Sequence, residues 1–215
     1  LGMEMTMVTE ASTFMAMFRL LEITEAKASM VPDYSKKLKW ALMAVAVAGS
    51  LLLFSKPRIF YEQADDGYYV RFYVYGLTNM TTATIPDTYQ GEKVVGLRGN
   101  TFSNMPFLSE VTLPDSITEI RGQAFKNCRS LESVTLPEHL TYLGGEAFYH
   151  CSSLEEVNLP AGLTEIRGNT FEECSSLLRI EIPDNVTRIG GHAFYGNTSL
   201  EEVGISPDSK LQPVS

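Results

Sequence analysis

The sequence predicts a solenoid of stacked coils, each made of a short strand and a short helical or 3₁₀ turn. Three observations support this fold class. A phenylalanine recurs every 23 residues, at Phe102, Phe125, Phe148, Phe171 and Phe194. A leucine follows each one by six residues, at Leu108, Leu131, Leu154, Leu177 and Leu200. A glycine keeps the same step, at Gly99, Gly122, Gly145, Gly168 and Gly191. Periods of this length are typical of proteins whose repeats pack only on their neighbours.

Each repeat begins with the pattern of a strand. Leu131, Val134 and Leu136 have the spacing of a short strand that sends apolar side chains into a core. Pro137 then ends the strand, because proline cannot donate a hydrogen bond to the neighbouring strand. One such coil cannot bury its own apolar side. Stacked neighbours must bury it, with strands ~4.8 Å apart.

The second half of each repeat predicts a bend followed by a short helix. The pair Gly144-Gly145 permits a tight bend at positive φ. The segment 146–154, EAFYHCSSL, then predicts a short helical or 3₁₀ turn whose Phe and Leu point inward. Together the two halves predict a coil with mixed strand and helix.

The unit LPEHLTYLGGEAFYHCSSLEEVN resembles the BspA-like class of leucine-rich repeats. That class has a 23-residue unit, a proline after the strand, an Ala-Phe pair, and a Cys or Asn before the leucine. The resemblance covers about residues 94–205 and implies an α/β-type leucine-rich-repeat solenoid. Glu138-His139 departs from the common leucine-rich pattern, so no asparagine ladder is expected at that corner. The resemblance implies binding to proteins or surfaces rather than chemistry.

A methionine-rich tail at residues 1–35 precedes the repeats. Phe14, Phe18 and Leu21 share one helical face within it, which predicts an N-terminal amphipathic helix. Methionine side chains adapt to irregular contacts, so this helix is expected to lie on a membrane or against a partner subunit. The alternative is a partly ordered tail.

Residues 38–56 predict a single transmembrane helix. The run from Trp40 to Phe54 carries no charge, and flanking lysines can extend it by snorkelling to the bilayer surface. The alternatives are the core of a signal peptide and a buried helix of a soluble domain. Small residues that would permit close helix–helix approach lie at Ala44, Ala48 and Ser50.

The predicted localisation is a single-pass membrane protein. More lysines precede the predicted span than follow it, which places the N-terminus on the positive-inside side and the repeats on the other. The first residue is Leu1, not Met, and either a cleaved leader or an incomplete chain would explain it.

Two further segments flank the repeats. Residues 57–93 predict a strand-rich lead-in with a hairpin turn at Asp65-Asp66-Gly67, expected to cover the first coil. The residues 206–215 no longer match the repeat. They predict either a thin cap or a truncated edge.

The negative charge is concentrated in the repeats. Residues 101–215 hold sixteen acidic and seven basic residues, whereas residues 1–100 are balanced. An acidic repeat domain argues against binding to a nucleic-acid backbone. It fits a basic protein surface as partner, or simply solubility.

The sequence predicts no catalytic residue, no metal and no cofactor. Cys128, Cys151 and Cys174 occupy a single repeat column and are expected to be buried thiols, because a single file cannot surround a tetrahedral metal. The three histidines occupy different repeat positions and form no triad with a nucleophile.

The candidate binding site is the outward side of the repeated strands. Its residues are Glu110, Glu132, Glu155, Glu156, Arg179, Glu181, Glu201 and Glu202. Rungs ~4.8 Å apart align such side chains into ridges, and like charges side by side call for water, a cation or a basic partner.

The sequence therefore predicts a membrane-anchored protein–protein interaction module. The sharper expectation is a non-catalytic accessory subunit of a large membrane complex, for example a photosynthetic or respiratory one, in contact with other membrane-protein subunits. The alternative is an adhesin-like binding protein that faces outward from the cell surface.

Overall fold

The computed structural model describes residues 57–74 and 81–212, which wind into a β-solenoid. The stack opens with β1 (Arg58–Ala64), β2 (Gly67–Val74), β3 (Thr82–Thr84), β4 (Thr88–Tyr89) and β5 (Glu92–Leu97). The repeats then contribute β6 (Glu110–Thr112), β7 (Glu119–Ile120), β8 (Ser133–Thr135), β9 (Tyr142–Leu143), β10 (Glu156–Asn158), β11 (Glu165–Ile166), β12 (Arg179–Ile182), β13 (Arg188–Ile189) and β14 (Glu202–Ile205).

The strands pair in parallel columns that follow the 23-residue step of the sequence. β3, β6, β8 and β10 form one parallel sheet, and β12 pairs with β14 in the same register. The Leu178 N–H donates to the Glu155 carbonyl at 3.3 Å and joins these two groups of strands. β2, β5, β7 and β9 form another side of the coil, and β11 pairs with β13. The predicted stacking of coils is thereby confirmed.

The prediction of an α/β-type solenoid with helical turns is wrong. The described residues form no helix, and each coil instead has a turn segment: residues 99–104, 122–127, 145–150, 168–173 and 191–196. The Phe125 N–H donates to the Ala147 carbonyl at 2.8 Å, and the Phe148 N–H donates to the Thr170 carbonyl at 2.8 Å. A helix needs these N–H groups for bonds within its own chain segment. Because they bind the next coil instead, the segment stays non-helical.

The positive φ predicted at the paired glycines is also wrong. Positive φ falls on the residue after the glycine, with φ of 63° at Gln123 and 57° at Glu146. Gly144 is required for space instead, since an added Cβ would lie 2.6 Å from the Gly122 Cα of the coil before it. The close approach of two backbones, rather than a left-handed conformation, fixes glycine here.

The core is built around a ladder of phenylalanines. Adjacent rings are stacked within 5° of parallel, with centroids 5.1 to 5.7 Å apart, from Phe102 to Phe194. Tyr73 of β2 covers the first ring at 5.1 Å. The central rings are fully buried. Each stacked pair adds about 0.5–1.5 kcal/mol beyond the burial of its area, so the ladder couples every coil to the next.

A β-hairpin precedes the repeats, and its second strand pairs in parallel with β5. β1 and β2 are antiparallel, and Ala64 pairs with Gly67 across the predicted turn. A second hairpin joins β4 to β5 through Gln90 and Gly91, both at positive φ. At the other end, the Lys210 N–H donates to the Asp184 carbonyl at 3.0 Å. Residues 206–212 therefore add part of a further rung.

The structure corrects the prediction of a single-pass membrane protein. Across residues 57–74 and 81–212, no helix is long and apolar enough to cross a bilayer. The localisation predicted from the sequence is therefore wrong for the part of the chain that the structure describes. The predicted helices at 1–35 and 38–56, with the small residues Ala44, Ala48 and Ser50, lie outside the described residues.

Candidate binding faces

The first candidate surface, here called the strand face, is the outer side of β6, β8, β10, β12 and β14 with the residue before each strand. Val134 and Val157 are buried at the centre of their strands, so the residues on either side point outward. All eight predicted site residues are exposed on this face: Glu110, Glu132, Glu155, Glu156, Arg179, Glu181, Glu201 and Glu202. The structure thus brings the predicted site together on one surface.

The charge on the strand face is strongly one-sided, with seven carboxylates and one guanidinium. Glu156 and Arg179 approach within 3.7 Å, but both side chains are about two-thirds exposed. Such a pair contributes little, about 0–1 kcal/mol. Most of the acidic charge on this face therefore has no basic partner within the described residues.

Leu178 interrupts the acidic ridge. It occupies the repeat position of Glu132, Glu155 and Glu201, and its side chain is 49 % exposed. Its backbone lies between those of Glu155 and Glu201, through hydrogen bonds on both sides. The strand face therefore presents one apolar side chain flanked by carboxylates.

A second charged surface, here called the arginine face, lies on another side of the coil and was missed by sequence reasoning. Val70, Leu97, Ile120 and Leu143 are buried and paired rung by rung. The residues that follow them form one outward file: Arg71, Arg98, Arg121 and Gly144, continued by Arg167 and Gly190. The signal was present in the sequence, as arginine recurring before the repeat glycine.

Acidic and aromatic side chains lie between the arginines. Glu62 accepts from Arg71 at 2.7 Å and from Arg98 at 2.8 Å. Glu165 is shared in the same way by Arg167 and Arg188, each at 3.2 Å. Each of these two carboxylates is thus shared by two guanidinium groups. The shared ion pairs hold the arginine side chains in place, and the guanidinium groups outnumber the carboxylates.

Tyrosine rings support the same arginines. The Tyr142 ring has Arg121 at 5.1 Å and Arg167 at 4.6 Å from its centre. Arg98 lies 4.2 Å from the centre of the Tyr69 ring. Cation–π contacts of this kind contribute about 0.5–2 kcal/mol each. They hold the guanidinium groups in one line along the solenoid.

The pKa of Glu62 is lowered from its ordinary value of 4.5, because hydrogen bonds from Arg71 and then Arg98 outweigh the opposing effect of burial. A carboxyl with a depressed folded-state pKa stabilises the fold above its unfolded pKa, and this stability is lost as pH falls. We therefore expect Glu62→Gln to lower the melting temperature at neutral pH. The difference from wild type should shrink as pH falls below 4.5. Thermal melts over pH measure this, with the exposed Glu92→Gln as control; a pH-independent difference contradicts it.

The cysteines and histidines form no reactive cluster in the described residues. The thiols of Cys128, Cys151 and Cys174 are free and buried, which confirms the predicted column. Each donates to a phenylalanine carbonyl 26 residues earlier at 3.1 Å. Burial raises the pKa of Cys128 and of Cys174 to about 12, so these thiols are not nucleophiles. No group of three or more His, Cys, Asp or Glu within the described ranges could hold a metal ion.

The repeats match a known family. A family model described as a BspA type leucine-rich repeat region, with six copies, matches residues 95–212. The predicted resemblance is thereby confirmed. The search of curated proteins found no match.

Several solved bacterial structures are similar to this chain. A leucine-rich repeat protein of T. pallidum is 23% identical, with 66% of this chain and 87% of that chain covered and a TM-score of 0.43. A leucine rich cell surface protein of Faecalibacterium prausnitzii is 26% identical, covering 69% and 52%, with a TM-score of 0.44. The pneumococcal vaccine antigen PcpA is 20% identical, covering 71% and 49%, with a TM-score of 0.52. The chain thus spans about half the length of the last two proteins.

Proposed function

The chain belongs to the family of BspA-type leucine-rich-repeat proteins, and on that premise we propose that it is a non-catalytic binding module whose strand face holds a positively charged partner. The observation that carries this proposal is the set of seven carboxylates and one guanidinium on the strand face. Parallel strands hold these carboxylates in rungs. Folding therefore keeps like charges together, and a cationic partner relieves their repulsion.

The partner also needs an apolar group. Leu178 is half exposed among the carboxylates, where it gains nothing from solvent. Interfaces are stabilised mainly by a few buried side chains, with charged residues around them setting orientation and association rate. The partner that fits is a protein surface with an apolar side chain ringed by lysine or arginine.

The place of action that we propose is a cell surface, in an adhesin-like role. PcpA, which has a similar fold, is described as a pneumococcal vaccine antigen, and this makes cell surfaces the first place to look for a partner. The expected role as accessory subunit of a membrane complex has no support from the described residues or from the comparisons, and we do not retain it.

Reversing the charge of the strand face should abolish partner binding. The variant carries Glu155→Lys, Glu156→Lys, Glu201→Lys and Glu202→Lys, all at exposed positions. Tagged wild type and variant are used to capture proteins from cell-surface extracts, and the captured proteins are quantified by mass spectrometry. Partners held by the strand face should fall by about tenfold or more, since several charge contacts are lost together.

A matched control distinguishes an effect of the strand face from an effect of the total charge. It carries Asp87→Lys, Glu92→Lys, Asp115→Lys and Glu138→Lys, four exposed positions outside the strand face. The control changes the net charge by the same amount and should keep the partners of the wild type. Equal capture by the strand-face variant and by wild type would reject the proposal, as would equal loss in both variants.

A further inference from the structure

We propose that the arginine face of one copy docks on the strand face of a second copy, so that copies associate side by side. The acidic half of this contact rests on the proposed function, since it uses the same strand face. The arginine half stands on geometry of its own. The partner of positive charge would then include this protein itself.

The charge of the two faces is complementary. The arginine face carries five guanidinium groups against three carboxylates: Arg71, Arg98, Arg121, Arg167 and Arg188 against Glu62, Glu119 and Glu165. The strand face carries seven carboxylates against Arg179. Contact between the two would give each face the charge that it lacks.

The guanidinium groups have bonding capacity left. Glu119 accepts from Arg121 at 2.7 Å and also from the Tyr69 hydroxyl at 3.1 Å, so its charge is shared. The Arg71 side chain is 45% exposed. Arg188 is 73% exposed. A guanidinium has five N–H donors, and one carboxylate oxygen satisfies only part of them.

The two faces also share a spacing. Arg71, Arg98 and Arg121 follow buried residues that pair on successive rungs. Glu132 and Glu155 lie on successive rungs of the strand face, joined by a 3.0 Å hydrogen bond between their backbones. Both arrays therefore repeat at ~4.8 Å along the solenoid. Two copies with parallel axes can match charge to charge over the two successive rungs of Glu132 and Glu155.

The net charge of -9 does not prevent this contact. Surface charges interact over about 8 Å at physiological ionic strength, so the local faces decide rather than the total. Because the contact joins different surfaces of the two copies, it leaves a free strand face on one copy and a free arginine face on the other. Such contacts either close into rings or continue as open chains.

The test is sedimentation velocity of the full chain over a range of concentrations, at ionic strengths of about 0.02 and 0.5 M. The wild type should form species that grow with concentration at low salt and should be monomeric at high salt. One variant, Arg71→Gln with Arg188→Gln, weakens the arginine face at two exposed positions. The other, Glu155→Lys with Glu156→Lys, reverses part of the strand face. Each variant alone should self-associate about tenfold or more weakly.

Mixing the two variants is the decisive experiment. The strand-face variant keeps an intact arginine face, and the arginine-face variant keeps an intact strand face, so the mixture should form one-to-one complexes. A monomeric wild type at low salt, unchanged self-association of either variant, or no complex in the mixture overturns the inference. The arginine-face variant should still capture the partners of the proposed function. If that variant captures those partners while the wild type stays monomeric at low salt, the inference of self-association is overturned but the proposed function is not.

Discussion

Replacing Phe148 with alanine is expected to lower the free energy of unfolding by about 3–5 kcal/mol. Its ring is fully buried and stacks on Phe125 at 5.1 Å and on Phe171 at 5.4 Å. The substitution removes both stacking contacts and leaves a cavity at the centre of the phenylalanine ladder. The neighbouring side chains are held in the stack and cannot fill that cavity. Urea denaturation followed by circular dichroism measures the change.

The control for this substitution is Phe107→Ala. Phe107 is also a phenylalanine of the repeat region, but its side chain is 58 % exposed and is not part of the ladder. Its loss should change the free energy of unfolding by less than about 0.5 kcal/mol. Equal effects of the two substitutions would show that the phenylalanine ladder does not hold the coils together.

Gly144→Ala is expected to destabilise the protein by about 3 kcal/mol or more. The added Cβ would lie 2.6 Å from the Gly122 Cα and 2.7 Å from the Arg121 carbonyl carbon, which are backbone atoms of the preceding coil. Backbone atoms held in a hydrogen-bonded stack cannot shift as a flexible side chain can. The coils would have to separate, and the melting temperature should fall accordingly.

Gly191→Ala gives the matched comparison. This glycine occupies the repeat column next to that of Gly144, and an added Cβ there meets nothing within 4 Å. Alanine also has less freedom than glycine in the unfolded chain, so a gain of about 0.4–1 kcal/mol is expected. If Gly144→Ala melts at the same temperature as Gly191→Ala, close backbone packing is not the reason for the glycine.

The buried columns of the solenoid could be predicted because the same repeat positions are buried in every coil, at intervals of 23 residues. Phe125 and Leu131 must be apolar in every coil, and their period is visible in a single sequence. The conformation of the turn segment could not be predicted, because it depends on hydrogen bonds to the next coil. A stretch such as EAFYHCSSL has ordinary helical residues, yet its N–H groups bind the next coil, as that of Phe148 does.

The two candidate faces differ in the same way. The strand face was predictable, since residues on either side of Val134 and Val157 must point outward. The arginine face was not recognised because Gly144 and Gly190 interrupt its file and Tyr142 lies beside it. Its order depends on contacts across repeats, such as Arg167 above the Tyr142 ring. Sequence alone does not show which of these side chains meet.

The turn segments have a consequence for the electric field of the molecule. Their hydrogen bonds to the next coil all run one way: the N–H groups of Phe102, Phe125, Phe148 and Phe171 each donate to a carbonyl of the following coil. In an ordinary sheet the peptide dipoles largely cancel, but here they add, as along a helix. This side of the solenoid is therefore a macrodipole, with its positive pole toward the last coil. Its two poles differ in potential even before any side-chain charge is considered.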